Sequence, residues 1–168
     1  MGSVDTRLDE LGLTLPPAPQ APSGVTLPFR WIRTYGDRAF ASGHGALSSD
    51  GSLAPTAGQV PTEVTLEQAQ QAAVGALLSM LSTLRTALGD LDRIDAWLTV
   101  TGFVNAAPAF AGTTLVINPA SELILDIFGP EVGVHARTAV GYTTLPFRLP
   151  VVLSAELAIS PPTREHMF

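Results

Sequence analysis

Apolar residues fall at positions 66, 69, 73, 76, 77, 80, 81, 84 and 88, the spacing of one continuous helical stripe. A helix marked in this way has to bury a single long face, and the segments on either side of it read as strands. The start is a capping box, Thr65-Leu66-Glu67-Gln68: the threonine hydroxyl serves the third helical amide while Gln68 reaches back. Gly89 ends the helix. Ala72, Ala73, Gly75 and Ala76 are small, so the helix is able to lie close on a sheet.

The flanking segments supply that sheet. Residues 31–35 and 38–42 form a hairpin by pattern, with Gly36-Asp37 as the turn. Residues 43–61 are rich in Gly, Ser, Asp and Pro and read as a loop. Residues 93–104 form a long strand containing Trp97. Asn118-Pro119 reads as a helix cap with proline at the first helical position, and that helix runs to Phe128 before Gly129. Two segments, 137–144 and 151–159, read as a closing hairpin around Leu145-Pro146. The order β-β-α-β-α-β-β is an α+β layer with two helices on one sheet face. Residues 14–28 carry five prolines and read as extended. The expected division is therefore an extended N-terminal arm (1–28), one domain (29–160) and a flexible C-terminal tail (161–168).

Composition excludes several classes of function. The net charge is −6, and all 9 basic residues are arginine with no basic run among them. A nucleic-acid partner, which demands a basic face, is not expected. Without cysteine, thiol catalysis, disulfides and cysteine metal sites are excluded. No stretch approaches a membrane span and the N-terminus is polar and acidic, so a cytoplasmic protein with no membrane partner is expected. Hydrophobic residues make up 46% of the chain and charged ones 14%. So little charge on the surface suggests that other subunits cover part of it.

Chemistry concentrates in His135-Ala136-Arg137-Thr138-Ala139-Val140-Gly141-Tyr142. One arginine opens an otherwise uncharged strand. A guanidinium at the mouth of a buried strand is costly unless it meets an anion, and its fork matches a carboxylate. The plain alternative is pairing with a neighbouring acid.

His-Ala-Arg-Thr-Ala-Val followed by Leu-Pro resembles the signature of the Rid (reactive intermediate deaminase, YjgF-like) family. Other segments agree in order: Leu11-Gly12-Leu13 with Leu15-Pro16-Pro17-Ala18-Pro19, Phe40-Ala41-Ser42-Gly43, Gly102-Phe103-Val104-Asn105, Asn118-Pro119-Ala120-Ser121-Glu122-Leu123 and Phe128-Gly129. The resemblance covers roughly residues 10 to 160. It implies a chorismate-mutase-like fold, a homotrimer with clefts between subunits, a small-molecule substrate and no cofactor.

The resemblance also implies roles. Arg137 matches the arginine that pairs with the substrate carboxylate. Phe29 falls where many members have tyrosine, which keeps the ring of a pocket wall and loses the hydroxyl. Ser42 is a strand-end serine in the cleft. Asn118 and Ser121 lie near a family asparagine that holds substrate or water, although both also read as ordinary helix-start residues and capping is the favoured reading. Val152 stands where deaminating members carry a glutamate that helps activate water, and Ser154 where another acid is common. Arg137 and Ser121 are thus the expected catalytic residues, with Phe29, Ser42, Asn118 and Val152 joining Arg137 in substrate binding.

His44 and His135 flank motif strands and have the acid–base range of a general base. Two isolated histidines without carboxylate spacing do not make a metal site, and none is expected. Glu156 shares a strand face with Val152 but lies ~13 Å further along at ~3.3 Å per residue, too far to replace the missing acid.

The resulting expectation is an enzyme acting on an imine or enamine that bears a carboxylate, deaminase-like but with weakened water activation. The alternatives are a repurposed non-hydrolytic biosynthetic enzyme (cyclisation, condensation or isomerisation) and a ligand-binding trimer without turnover.

Overall fold

Five strands form one sheet in the order β1-β2-β5-β3-β4. In the computed structural model, which describes residues 2–21 and 23–161, the elements run as follows: α1 (Ser3–Glu10), β1 (Ile32–Tyr35), β2 (Arg38–His44), α2 (Leu66–Leu88), β3 (Ile94–Asn105), α3 (Thr113–Gly133), β4 (Ala136–Tyr142) and β5 (Val151–Ile159). The expected tail, 161–168, lies outside the described residues apart from Pro161.

The α2 stripe is used as its spacing predicts. Ala69, Ala73, Ala76, Leu77, Met80, Leu81, Leu84 and Leu88 are all buried. The capping box forms in both directions: Gln68 N donates to Thr65 Oγ1 at 3.1 Å and Thr65 N donates to Gln68 Oε1 at 3.0 Å. Strand β5 alternates buried and half-buried along its whole length, so only one sheet face carries the helices. The α+β layer with its helices on one sheet face is thereby established.

Three expectations need correction. The first 28 residues are not uniformly extended, because Ser3–Glu10 is helical. Its unpaired N-terminal amides find a distant partner: Asp92 accepts from Ser3 N at 2.6 Å and from Val4 N at 2.8 Å. A carboxylate there also suits the positive end of the helix. Val4 and Leu8 enter the core.

Helix α3 begins at Thr113, so Asn118 and Pro119 lie inside it rather than at its cap. Thr113 Oγ1 donates to the Ala139 carbonyl of β4 at 3.1 Å, which ties the helix start to the sheet. The expected stop is real: Gly129, at φ 77°, breaks the helix before one further turn.

Strands β4 and β5 are not a hairpin. β3 lies between them, parallel to β4 and antiparallel to β5. The Leu145–Pro150 connection crosses over β3, which occupies the place beside β4 that the returning strand of a hairpin would take.

Candidate active site

The register decides what Arg137 and Val152 can share. Arg137 is level with Val100 on β3, and Val152 with Phe103. Positions 100 and 103 differ by an odd number, so the two side chains leave opposite faces of the sheet. Within one subunit they belong to different cavities.

The first cavity, of about 230 Å³, opens beside the edge strand β4 and is lined by Ser121, Leu125, Val134, His135 and Arg137. Arg137 Nη1 donates to Ser121 Oγ at 3.2 Å. No carboxylate lies within ion-pairing distance of this guanidinium among the described residues. Ser121 Oγ also lies 3.0 Å from His135 Nε2, and His135 Nδ1 lies 2.7 Å from the Gly133 carbonyl oxygen. Ser121 therefore has no capping role; it projects from the body of α3 onto the start of β4.

The second cavity, of about 320 Å³, lies at the end of β2 where its pairing with β5 shifts register between Ala41 and His44. Phe29, Ser42 and Val152 line it together with Trp31, His44 and Phe147. Its walls are mainly apolar. Phe29 meets Trp31 edge-on, with centroids 5.2 Å apart. Ser42 is committed to the backbone, its hydroxyl donating to the Arg30 carbonyl at 2.8 Å, so its oxygen is left as an acceptor only. Glu156 is held by Arg38 in an ion pair and does not reach this cavity. Asn118 lines neither cavity.

His44 forms the floor of the second cavity and is 1% exposed. Its Nδ1 lies 2.6 Å from the Ser42 carbonyl oxygen and its Nε2 3.0 Å from Thr83 Oγ1. Burial pushes its pKa below the ordinary 6.5, and the Ser42 carbonyl only partly opposes that. The neutral ring donates from Nδ1 to the Ser42 carbonyl, while the single proton of Thr83 is shared between His44 Nε2 and the Ser79 carbonyl oxygen, each 3.0 Å away.

Sequence reasoning missed two features. Phe147 and Arg148 both have φ of 56°, the left-handed region that costs a side-chain-bearing residue about 1–2 kcal/mol. This strain sits on the cavity rim, where Phe147 is 78% exposed, and neither residue type signals it. The second feature is the contact of His135 with Ser121, 14 residues back in the chain. Its partial signal was the His-x-Arg spacing, which places residues 135 and 137 on one side of an extended segment.

An α+β sheet of this order, with a guanidinium-lined cleft at one edge and an apolar cavity at the other end, defines a chorismate-mutase-like fold. No protein-family model matches the chain. It is 37% identical over 154 residues to Protein TCP17 of Trypanosoma cruzi, covering 92% of each chain. The structure of Atu1372 from Agrobacterium tumefaciens is similar at TM-score 0.81 and 34% identity, covering 94% of this chain and 92% of that one. The Rid-family protein YyfA of Yersinia pestis shares the fold at TM-score 0.59 and 18% identity, covering 84% of this chain and 93% of that one. The chain shares the fold of the Rid, or YjgF-like, proteins. Among the described residues, no helix is long and apolar enough to cross a membrane.

Proposed function

We propose that the protein is a cytoplasmic, homotrimeric enzyme acting on a small imine or enamine that bears a carboxylate, with hydrolytic deamination as its reaction. The observation that carries this reading is Arg137: a guanidinium in an open cavity, touching only a serine hydroxyl and no acid among the described residues. A substrate carboxylate satisfies the remaining donors bidentately. In a trimer, the Arg137 edge of one subunit borders the Phe29–Val152 cavity of the next, and the two half-sites make one cleft.

The test is incubation with enzymatically generated 2-aminoacrylate, following ketoacid and ammonia above the uncatalysed rate. Arg137→Ala is expected to abolish binding of a carboxylate ligand and leave the oligomer intact. Carboxylate binding that survives this substitution would remove the anchor from the proposal.

A second reading rests on the apolar walls around Phe29 and Val152. A cavity of about 320 Å³ with so few polar groups suits a larger, hydrophobic intermediate, and excluding activated water protects an imine from hydrolysis. On that reading the reaction is a cyclisation, condensation or isomerisation. A large apolar imine that is converted without release of ammonia would favour it.

A further inference from the structure

With the His135 ring neutral, the hydrogen bonds around Ser121 take one direction. A guanidinium only donates, so the Arg137 Nη1 contact at 3.2 Å delivers a proton to the lone pair of Ser121 Oγ. A carbonyl only accepts, so His135 Nδ1 carries the hydrogen that meets Gly133 O at 2.7 Å. In the neutral ring, Nε2 is then the acceptor, and the one proton of Ser121 points to it across 3.0 Å. In that state each proton has one acceptor. The serine hydroxyl is polarised from both ends: a cation faces its oxygen and a base faces its proton. Such a hydroxyl gives up its proton more readily than an isolated one.

The setting differs from that of the other described histidine with two ring contacts. His44 is bonded in a similar way but is 1% exposed, whereas His135 is half-buried and lines the cavity with Ser121 and Arg137.

We infer that Ser121 and His135 form the proton shuttle of the Arg137 site and take over the work of the acid that Val152 replaces. This rests on the carboxylate-anchoring reading given above. With a protonated imine held through its carboxylate by the free donors of Arg137, a water oxygen bonds to the imine carbon as the C=N π pair moves to nitrogen. The water's proton passes to Ser121 Oγ while the serine's own proton passes to His135 Nε2. The resulting carbinolamine nitrogen takes that proton back along the same path. The C–N bond then breaks, its electron pair leaving on ammonia as the hydroxyl collapses to a carbonyl, and the hydroxyl proton departs with ammonia as ammonium. A protonated imine and water become a carbonyl compound and ammonium, with both residues restored.

Wild type, Ser121→Ala, His135→Gln and Arg137→Ala are compared on enzymatically generated 2-aminoacrylate, with melting temperatures confirming that each is folded. Ser121→Ala and His135→Gln are expected to lower kcat by ~10²-fold or more, the contribution of a positioned acid–base group, and to leave KM within about twofold. Arg137→Ala is expected to raise KM instead. ¹⁵N spectra of the wild type are expected to show His135 protonated at Nδ1 and bare at Nε2, with the Nε2 signal shifted in Ser121→Ala. An active wild type matched by equally active, folded Ser121→Ala and His135→Gln overturns the shuttle and leaves the Arg137 anchor standing. A proton resting on Nε2 in the wild type overturns the shuttle even if His135→Gln does not fold. A wild type that binds carboxylates but releases no ammonia overturns the hydrolytic reading and the shuttle with it.

Discussion

His44 couples the site to stability. Its pKa is lowered by burial, so between pH 6.5 and the folded-state value the unfolded chain binds a proton that the folded chain does not. Stability is then full above about pH 6.5 and falls as acid is added. The carboxylates with lowered pKa, Asp50, Glu63 and Asp92, titrate further down, so the interval from about pH 6.5 to 5 belongs to histidine. Melting temperatures measured across that interval should drop for the wild type and stay flatter for His44→Gln. Equal slopes would show that the buried ring is not the group responsible. Val152 bears on the rate of the proposed reaction instead. A carboxylate placed there can hold and polarise water, although the apolar walls raise its pKa and blunt its basicity. Val152→Glu should therefore raise ammonia release by ~10-fold, below the full range for a general base, with a larger relative gain in the His135→Gln background. Brisk wild-type turnover that the substitution leaves unchanged would show that the missing glutamate is not what limits this chain.

At the scale of elements, close approach of helix and sheet depends on particular small residues. A Cβ on Gly102 of β3 would fall 2.5 Å from Ile117 Cγ1 and 2.6 Å from Cδ1 of α3. Gly102→Ala is expected to cost about 1–3 kcal/mol by overpacking, at roughly 2–4 °C of melting temperature per kcal/mol in a chain of this size. In an Ile117→Ala background the cost should largely vanish, and a double-mutant cycle of melting curves measures that coupling. Elements set by local pattern were legible in the sequence. The α2 stripe and its capping box depend on residues within one or two turns, and both formed as read. Helix α1 was not legible, because eight residues are marginal alone and the carboxylate that caps it, Asp92, lies 88 residues from Val4. The β4–β5 pairing was misread for a related reason. Two consecutive strand patterns are compatible with a hairpin or with a crossover, and only tertiary competition for β3 chooses between them. The same misreading hid the site, since a hairpin would have aimed Arg137 and Val152 together, whereas the true register sends them to opposite faces.

At the scale of the whole molecule, one face of the sheet carries no helix among the described residues. Phe40, Phe103 and Val152 lie on that face by register, and Tyr142 packs against Phe103 with centroids 5.7 Å apart and the rings tilted by 55°. Phe40 is 38% and Tyr142 50% exposed. A patch of this kind on a chain with only 14% charged residues marks a contact surface. The separation of the two half-sites points the same way, because Arg137 and Val152 reach one substrate only if they come from different subunits. Sedimentation equilibrium should therefore give three times 17.6 kDa at micromolar concentration. Phe103→Arg sets a charge in the middle of the open face, at a residue that lines neither cavity itself although it is the cross-strand neighbour of Val152. It should yield folded monomers that have lost turnover although Arg137, Ser121 and His135 are unaltered. A wild-type monomer, or a monomeric Phe103→Arg as active as the wild type, would place the complete site within one chain. The second cavity would then have to be assigned a separate ligand.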